Sequence, residues 1–391
     1  MNVILFDDPI IRANLLPLTF TRPVADIRIG ILTIREKWEK LTGLVTSSKT
    51  QSYLSTKYST EYTIDTDNVW INGSVLPNKL MVDEVKALSP HQQLVKNNIL
   101  IAQNSGNEKE FLASANNYEK IESKAELIQI NFPWDIFSKN DAALRTDFDL
   151  LTIGKKSLPI DASNRVVGKE NVFIEEGGKV SCSILNAETG PIYIGKDAEV
   201  MEGCIIRGPF SLGEHSALKL GTKVYGATTI GPQSKVGGEV SNSVVFGYSN
   251  KAHDGFLGNA VVGEWCNLGA DTNNSNLKNN YGEVKLWNYA KNEYVPTGLT
   301  FCGLIMGDHS KCGINTMFNT GTVVGVNANI FGAGFPATHV PSFSWGGAAD
   351  ATVYKLPNAF EVATRVFQRR GMVFDEQEQK ILSHIFEITR A

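Results

Sequence analysis

Residues 194–236 read IGKDAEVMEGCIIRGPFSLGEHSALKLGTKVYGATTIGPQSKV. An aliphatic residue returns at every sixth place: Ile194, Val200, Ile206, Leu212, Leu218, Val224, Ile230 and Val236. Four places after each stand Ala198, Cys204, Phe210, Ser216, Thr222, Thr228, Ser234 and Val240, most of them small. A helix repeats its apolar stripe about every 3.6 residues and a half-buried strand about every 2, so this period belongs to neither. It suits a parallel β-helix, in which each hexapeptide supplies a short strand and a corner, and a few hexapeptides close one coil. The aliphatic side chain fills the interior, and the small one lets the chain turn without crowding the coil above.

Working outward, the ladder begins loosely at Val166, Ile174 and Val180. After Val236 a slip of two residues is expected, with rungs resuming at Phe256, Val262 and Leu268 and small partners Ala260, Cys266 and Thr272. A second break runs from Asn273 to about Gly303, rich in asparagine and holding Trp287, Tyr289 and Tyr294. The period then returns at Met306, Cys312, Phe318, Val324 and Ile330, followed by Ser310, Thr316, Thr322, Ala328 and Gly334. Residues 165–346 are therefore expected to form about eight coils with one long excursion, and long irregular loops in compact folds tend to be functional. Residues 347–391 read as two helices, with Asn358–Glu361 and Asp375–Glu378 as capping boxes and Gly371 as the stop between them. Such helices can cover the open last coil.

Residues 1–150 lack the six-residue period. Val3–Phe6, Val69–Ile71 and Ile99–Ile101 read as strands, and residues 29–41 carry a helical stripe at Ile31, Ile34, Trp38 and Leu41. An α/β layer domain is expected.

The 391-residue chain allows two or three domains, and 42% hydrophobic with 20% charged residues is the composition of a folded protein. A net charge of −4 offers nothing to nucleic acid or to an anionic membrane. The five cysteines form no CxxC pair and read as core residues of a reducing compartment rather than disulfides or zinc ligands. Neither a signal peptide nor a membrane span is recognisable, so a cytoplasmic location is expected.

A β-helix has no cavity inside, so chemistry is sought on its flank, where the repeat breaks. His253 lies in the first break, and a neutral imidazole there can take a proton from an attacking amine or hydroxyl. His215 and His309, by position in the repeat, read as exposed corner histidines. Asn267–Lys278 is the second cluster. Most of its asparagines are expected to stack along the coils, whereas Asn276, at the exit into the excursion, is placed to meet hydroxyl or carbonyl groups.

These residues carry a resemblance. Phe246-Gly247 through Lys278, with His253, Gly258-Asn259-Ala260, Val262-Gly263 and Asn267 to Thr272, resembles the acetyltransferase half of the bifunctional GlmU family. The resemblance implies a nucleotidyltransferase domain followed by a left-handed β-helix, a homotrimer and acetyl-CoA. It also implies acetylation of glucosamine 1-phosphate followed by coupling to UTP. By the same resemblance His253 is the catalytic base, and Asn276 contacts the sugar. Phe256 takes the place of a substrate-site tyrosine, and Ala270 and Ala333 line the acetyl-CoA groove between subunits. The chain departs from the family in lacking that tyrosine hydroxyl and in having Ile314, with Asn315 beside it, for a serine near the thioester. The phosphate-binding lysine has no counterpart, Asn242 standing nearest, with Lys278 or Lys285 able to serve from the excursion.

Leu16-Pro17-Leu18-Thr19-Phe20-Thr21-Arg22-Pro23, the helix containing Lys37, and Phe132 to Phe137 with Asn140 resemble sugar-1-phosphate nucleotidyltransferases. Arg22 and Lys37 are the candidate substrate ligands, although Arg22 could equally pair with Asp7 or Asp26. The family's glycine-rich phosphate loop is replaced by Phe6-Asp7-Asp8-Pro9, whose carboxylates would repel phosphate unless Mg²⁺ lay between. The sequence thus points to an amino-sugar nucleotide enzyme acting on sugar phosphates and nucleotides. The alternatives are a nucleotidyltransferase with a purely structural β-helix, and a non-catalytic sugar-nucleotide scaffold.

Overall fold

The computed structural model describes residues 2–64, 67–113, 118–348 and 350–390. The chain divides into two compact units, one made of residues 1–15, 21–27 and 32–132, the other of 16–20, 28–31 and 133–391.

The first unit is the expected α/β layer, built on a six-stranded mixed sheet. Asn2–Phe6 lies between parallel neighbours Thr46–Lys49 and Asn68–Asn72, and Ile99–Asn104 pairs antiparallel beyond. Val3 to Phe6 is continuously apolar and wholly buried, as an inner parallel strand covered on both faces should be. The helix expected over 29–41 runs instead from Ile34 to Thr42. Thr33 stops it earlier: its hydroxyl accepts from the Glu36 N–H at 3.2 Å while the Glu36 carboxylate accepts from the Thr33 N–H at 2.6 Å. Within the second unit, Gly30 and Ile31 donate their N–H groups to Asn140 Oδ1 and Asp147 Oδ2, each at 2.7 Å.

The second unit is a left-handed parallel β-helix followed by two helices. One face stacks nine parallel strands, from Val172–Ile174 to His339–Val340, against about eight coils expected. All eight aliphatic rungs of 194–236 are buried, at no more than 2% exposure. Sheet formation here is fixed by burial: each three-residue strand points one side chain inward, and stacking neighbours turns those side chains into a continuous core.

The first break differs from the slip expected. Leu218 pairs with Val236, eighteen residues on, but Val236 pairs with Lys251, only fifteen on. The coil is shortened at its corners, so Val240 and Val245 are themselves rungs, and the next rung is Leu257 rather than Phe256. The inward place between Val236 and Leu268 falls to Lys251, which is buried. The second break is also not structureless: Lys285–Asn288 and Glu293–Pro296 form an antiparallel hairpin, with Trp287 stacked on His339 at 4.3 Å.

The tail helices are Leu356–Gln368 and Glu376–Arg390. Asn358 is not a cap, because Lys355 takes that place and Pro357 sits in the first turn, where its missing N–H costs nothing. Asp375 does cap the second helix, accepting from the Glu378 N–H at 3.0 Å, and Gly371 breaks the chain between them at φ 69°. Phe386 meets Phe343 of the last coil at 5.0 Å, so the second helix closes the column. The cysteines are free, four of them buried and Cys182 exposed. No helix among the described residues is long and apolar enough to cross a membrane.

Candidate active site

Lys251 holds the corner on which His253 stands. Its Nζ donates to the carbonyl oxygens of His253 at 2.9 Å, Gly237 at 3.1 Å and Asp254 at 3.3 Å. Burial pushes this ammonium down to about 8, against the pull of Asp254. The sequence reading missed Lys251.

The His253 imidazole itself is exposed, and no hydrogen bond to it is found among the described residues. It stands at the lip of a cleft of about 590 Å³ with Lys219, Gly237, Gly238, Ala252 and Ala270. The same corner continues up the column: the Asp271 N–H donates to Asp254 O at 3.1 Å, and the Asn315 N–H to Ala270 O at 2.8 Å. Ala333 follows Ile330 at that corner of the next coil and is exposed. His253, Ala270, Asn315 and Ala333 are thus brought to one edge of the rod.

Asn276 lies elsewhere. Its Nδ2 donates to Asn259 Oδ1 at 2.8 Å, at the opposite end of the strand Phe256–Gly258. That strand is three residues long, roughly 10 Å of extended chain. Phe256 and Asn276 meet over Gly258, where an added Cβ would come within 2.3 Å of the Phe256 ring and 2.8 Å of Asn276 Nδ2. Two of the neighbouring asparagines are structural, as expected. Asn273 Oδ1 accepts from the Phe256 N–H at 2.8 Å, and Asn274 brackets Gly258 by its N–H at 2.9 Å and its carbonyl at 3.0 Å.

Beside Asn259 opens a cleft of about 750 Å³, also lined by Arg207, Asn242 and Thr300. Arg207 is a second residue the sequence reading missed: it is exposed and faces the same cleft as Asn242, two coils away. Lys278 instead donates to Glu283 O at 2.6 Å, inside the excursion, and Lys285 is exposed on the hairpin. Of the other histidines, His215 is exposed near Glu214 and Asp197, as expected. His309 corrects its expectation, being buried and stacked at 6.1 Å on Phe367.

In the first unit both carboxylates of the Phe6–Pro9 turn are committed. Asp8 caps the helix Pro9–Asn14. Asp7 takes the Val24 N–H at 2.8 Å, the Thr50 hydroxyl at 2.5 Å and Arg12 at 3.3 Å, and burial raises it to about 6. Asp26 is held by Arg35 at 2.7 and 2.9 Å. Arg22 and Lys37 are both buried. No cluster of three potential metal ligands occurs among the described residues. An edge cleft of about 410 Å³ in this unit is lined by Arg35, Ser48, Lys57 and Tyr58 among others.

A family model of sugar nucleotidyl transferases matches residues 3–156. A bifunctional sugar-1-phosphate nucleotidylyltransferase/acetyltransferase of Sulfurisphaera tokodaii is 24% identical over 223 residues, covering 56% of this chain and 49% of its own. The bifunctional protein GlmU of Methanocaldococcus jannaschii is 34% identical over 89 residues, covering 23% of this chain and 21% of its own. The chain therefore spans about half, or less, of the length of the curated relatives it matches. Among solved structures, an Arabidopsis UDP-N-acetylglucosamine acyltransferase aligns over 59% of this chain and 93% of its own, at 14% identity and a TM-score of 0.25. Residues 3–156 thus match the sugar nucleotidyl transferase family model, and parts of the chain are similar to bifunctional GlmU proteins.

Proposed function

We propose that the chain is a transferase of amino-sugar nucleotide synthesis, transferring an acetyl group to an amino-sugar phosphate on the β-helix and a nucleotidyl group in the first unit. The observation that carries the acyl-transfer half is the His253 corner, fixed through three carbonyls by the buried Lys251 ammonium beside a cleft of small residues. The glycines and alanines of that cleft suit the slender amide-bearing arm of acetyl-CoA, with Ala270 lining it and Asn315 and Ala333 further along the same edge of the rod. When bound, acetyl-CoA supplies an activated thioester. His253 takes the proton of the attacking amine, and exposed backbone N–H groups at the corner stabilise the developing oxyanion.

The acceptor lies across the outer face of strand Phe256–Gly258, with Asn276 on its hydroxyls and Arg207 as the cation for its phosphate. Roughly 10 Å of strand matches the length of a sugar phosphate. Lys278 is a weaker candidate, since the excursion already engages it. One rod leaves this face open, and a homotrimer of rods would cover it. In the first unit Arg22 and Lys37 remain the substrate candidates, but Asp7 and Asp8 do not fit a Mg²⁺ site, because both carboxylates already accept from protein donors. The proposed location is cytoplasmic.

His253→Ala should keep the wild-type melting temperature and lose acetyl transfer to glucosamine 1-phosphate by about 10²–10⁴-fold. Unchanged turnover would remove the assignment. The exposure of the imidazole favours a second reading, a nucleotidyltransferase whose β-helix serves assembly alone. Pyrophosphate release from sugar 1-phosphates, nucleoside triphosphates and Mg²⁺, without any acetyl-CoA consumption, would establish it.

A further inference from the structure

A different cleft, of about 520 Å³, lies between the β-helix flank and the end of the helix Leu356–Gln368. The register stacks Lys235, Asn250, Asn267 and Lys311 in one outward column of its floor. Arg369 and Arg370 form its rim. Four cations therefore surround one concavity of a chain whose net charge is −4, and no carboxylate lines it.

None of the four is ion-paired among the described residues. Lys311 Nζ reaches only the His309 carbonyl at 2.7 Å, and Arg370 Nη1 only Gln233 Oε1 at 3.3 Å. A helix C-terminus attracts cations, which accounts for two arginines at the end of this helix. It does not account for two lysines of the β-helix facing the same space. Gathering like charges around a partly buried cleft is unfavourable unless an anion offsets them.

We propose that this cleft binds the phosphate groups of a nucleotide, either free or as the nucleotide end of the acyl carrier. The volume exceeds what one phosphate needs and is that of a small-ligand site. Tyr248, on the cleft wall and stacked on Trp265 at 4.3 Å, offers an aromatic surface to a base. Ala252 lines both this cleft and the His253 cleft, so a ligand anchored here by its phosphates can extend a flexible arm to the imidazole. The carrier version rests on the acyl-transfer reading; phosphate binding does not.

The test is calorimetric titration of the full-length protein with ADP and, separately, with CoA. Arg369→Ala/Arg370→Ala changes two residues just past the end of a helix and should fold normally, and Lys311→Met is the second variant. We expect at least a tenfold loss of affinity in the double variant and a wild-type affinity that falls with added salt. Loss for CoA alone identifies the carrier's nucleotide end, and loss for both identifies nucleotides at large. Either supports the site. Wild-type affinity for both ligands in the double variant, or no saturable binding of either to wild type, overturns it. His253→Ala should leave this binding unchanged, so failure of the acyl-transfer reading and failure of this one are separable.

Discussion

Lys251 occupies a rung that the coil below gives to Val236 and the coil above to Leu268. A buried ammonium is costly, and this one is tolerated because three carbonyls accept from it and thereby fix the loop carrying His253. Its depression to about 8 from 10.5 has a consequence for stability. Below about pH 8 the group is charged in folded and unfolded chains alike. Between about 8 and 10.5 the unfolded chain holds a proton that the folded chain has released, so stability should rise with pH through that window. Urea midpoints measured from pH 7.5 to 10 should show wild type gaining on Lys251→Met, and parallel pH slopes would contradict the assignment. Lys311, pushed down to about 8 by burial, remains in both proteins and cancels in the comparison. Gly255 is a second residue on which the corner depends. It has φ 111°, and a Cβ there would stand 2.2 Å from the Thr272 carbonyl oxygen, whereas one at Gly221, φ 68°, would meet nothing within 4 Å. Gly221→Ala should cost about 1–2 kcal/mol of backbone strain. Gly255→Ala adds a clash of about 1–3 kcal/mol, which thermal unfolding can resolve.

At the scale of the element, the coil is a stack of rungs, and the alternation of inward and outward residues sets what each contributes. Ile206 is fully buried, while its neighbour Ile205 is 48% exposed. Ile206→Ala should lose about 2–5 kcal/mol and Ile205→Ala under about 1, by chemical denaturation. Equal effects would mean that the period misassigns the inward face. The period was legible because eighteen-residue coils repeat one environment at fixed intervals, and all eight rungs of 194–236 are buried as read. It became illegible where that environment changed. With rungs at Val240, Val245 and Lys251 the spacing shortens and one rung is a cation, so the eye passes to Phe256, which in fact points outward. The candidate site was legible as far as His253, Asn276 and the alanines. Arg207 and Lys251 were not: the rung place of Lys251 is set by Val236, fifteen residues away, and Arg207 shares its cleft with Asn242, thirty-five away, which only the closed coil brings together. The helix starts at Ile34 rather than at 29 for a local reason: the Thr33–Glu36 capping box fixes its first turn there, which an apolar stripe alone does not mark.

The whole chain is interleaved more than a two-domain reading suggests. Residues 28–31, although early in sequence, belong to the compact unit of the β-helix. There Gly30 and Ile31 donate to Asn140 and Asp147, the Thr229 hydroxyl donates to Gly30 O at 2.9 Å, and Arg28 Nε donates to Phe246 O at 2.9 Å. Asn140 and Asp147 are buried, and Asn140 Nδ2 also donates to Ala227 O at 3.0 Å. A fragment starting at Pro133 keeps every coil of the β-helix but loses these partners. Asn140 Oδ1 loses the Gly30 N–H and Asp147 Oδ2 the Ile31 N–H, hydrogen bonds worth about 0.5–1.5 kcal/mol each. Such a fragment should therefore melt below the β-helix transition of the intact chain, although no rung of its core has been touched. In the fragment Asn140→Ala with Asp147→Ala should cost less than in the intact chain, because the Gly30 and Ile31 donors are already gone and only contacts such as Asn140 to Ala227 O are left to lose. In the intact chain the same pair should be destabilising. That difference in size, read by calorimetry on four proteins, separates an interleaved unit from a β-helix that folds on its own, for which fragment and intact chain would share one transition and one response to the substitutions.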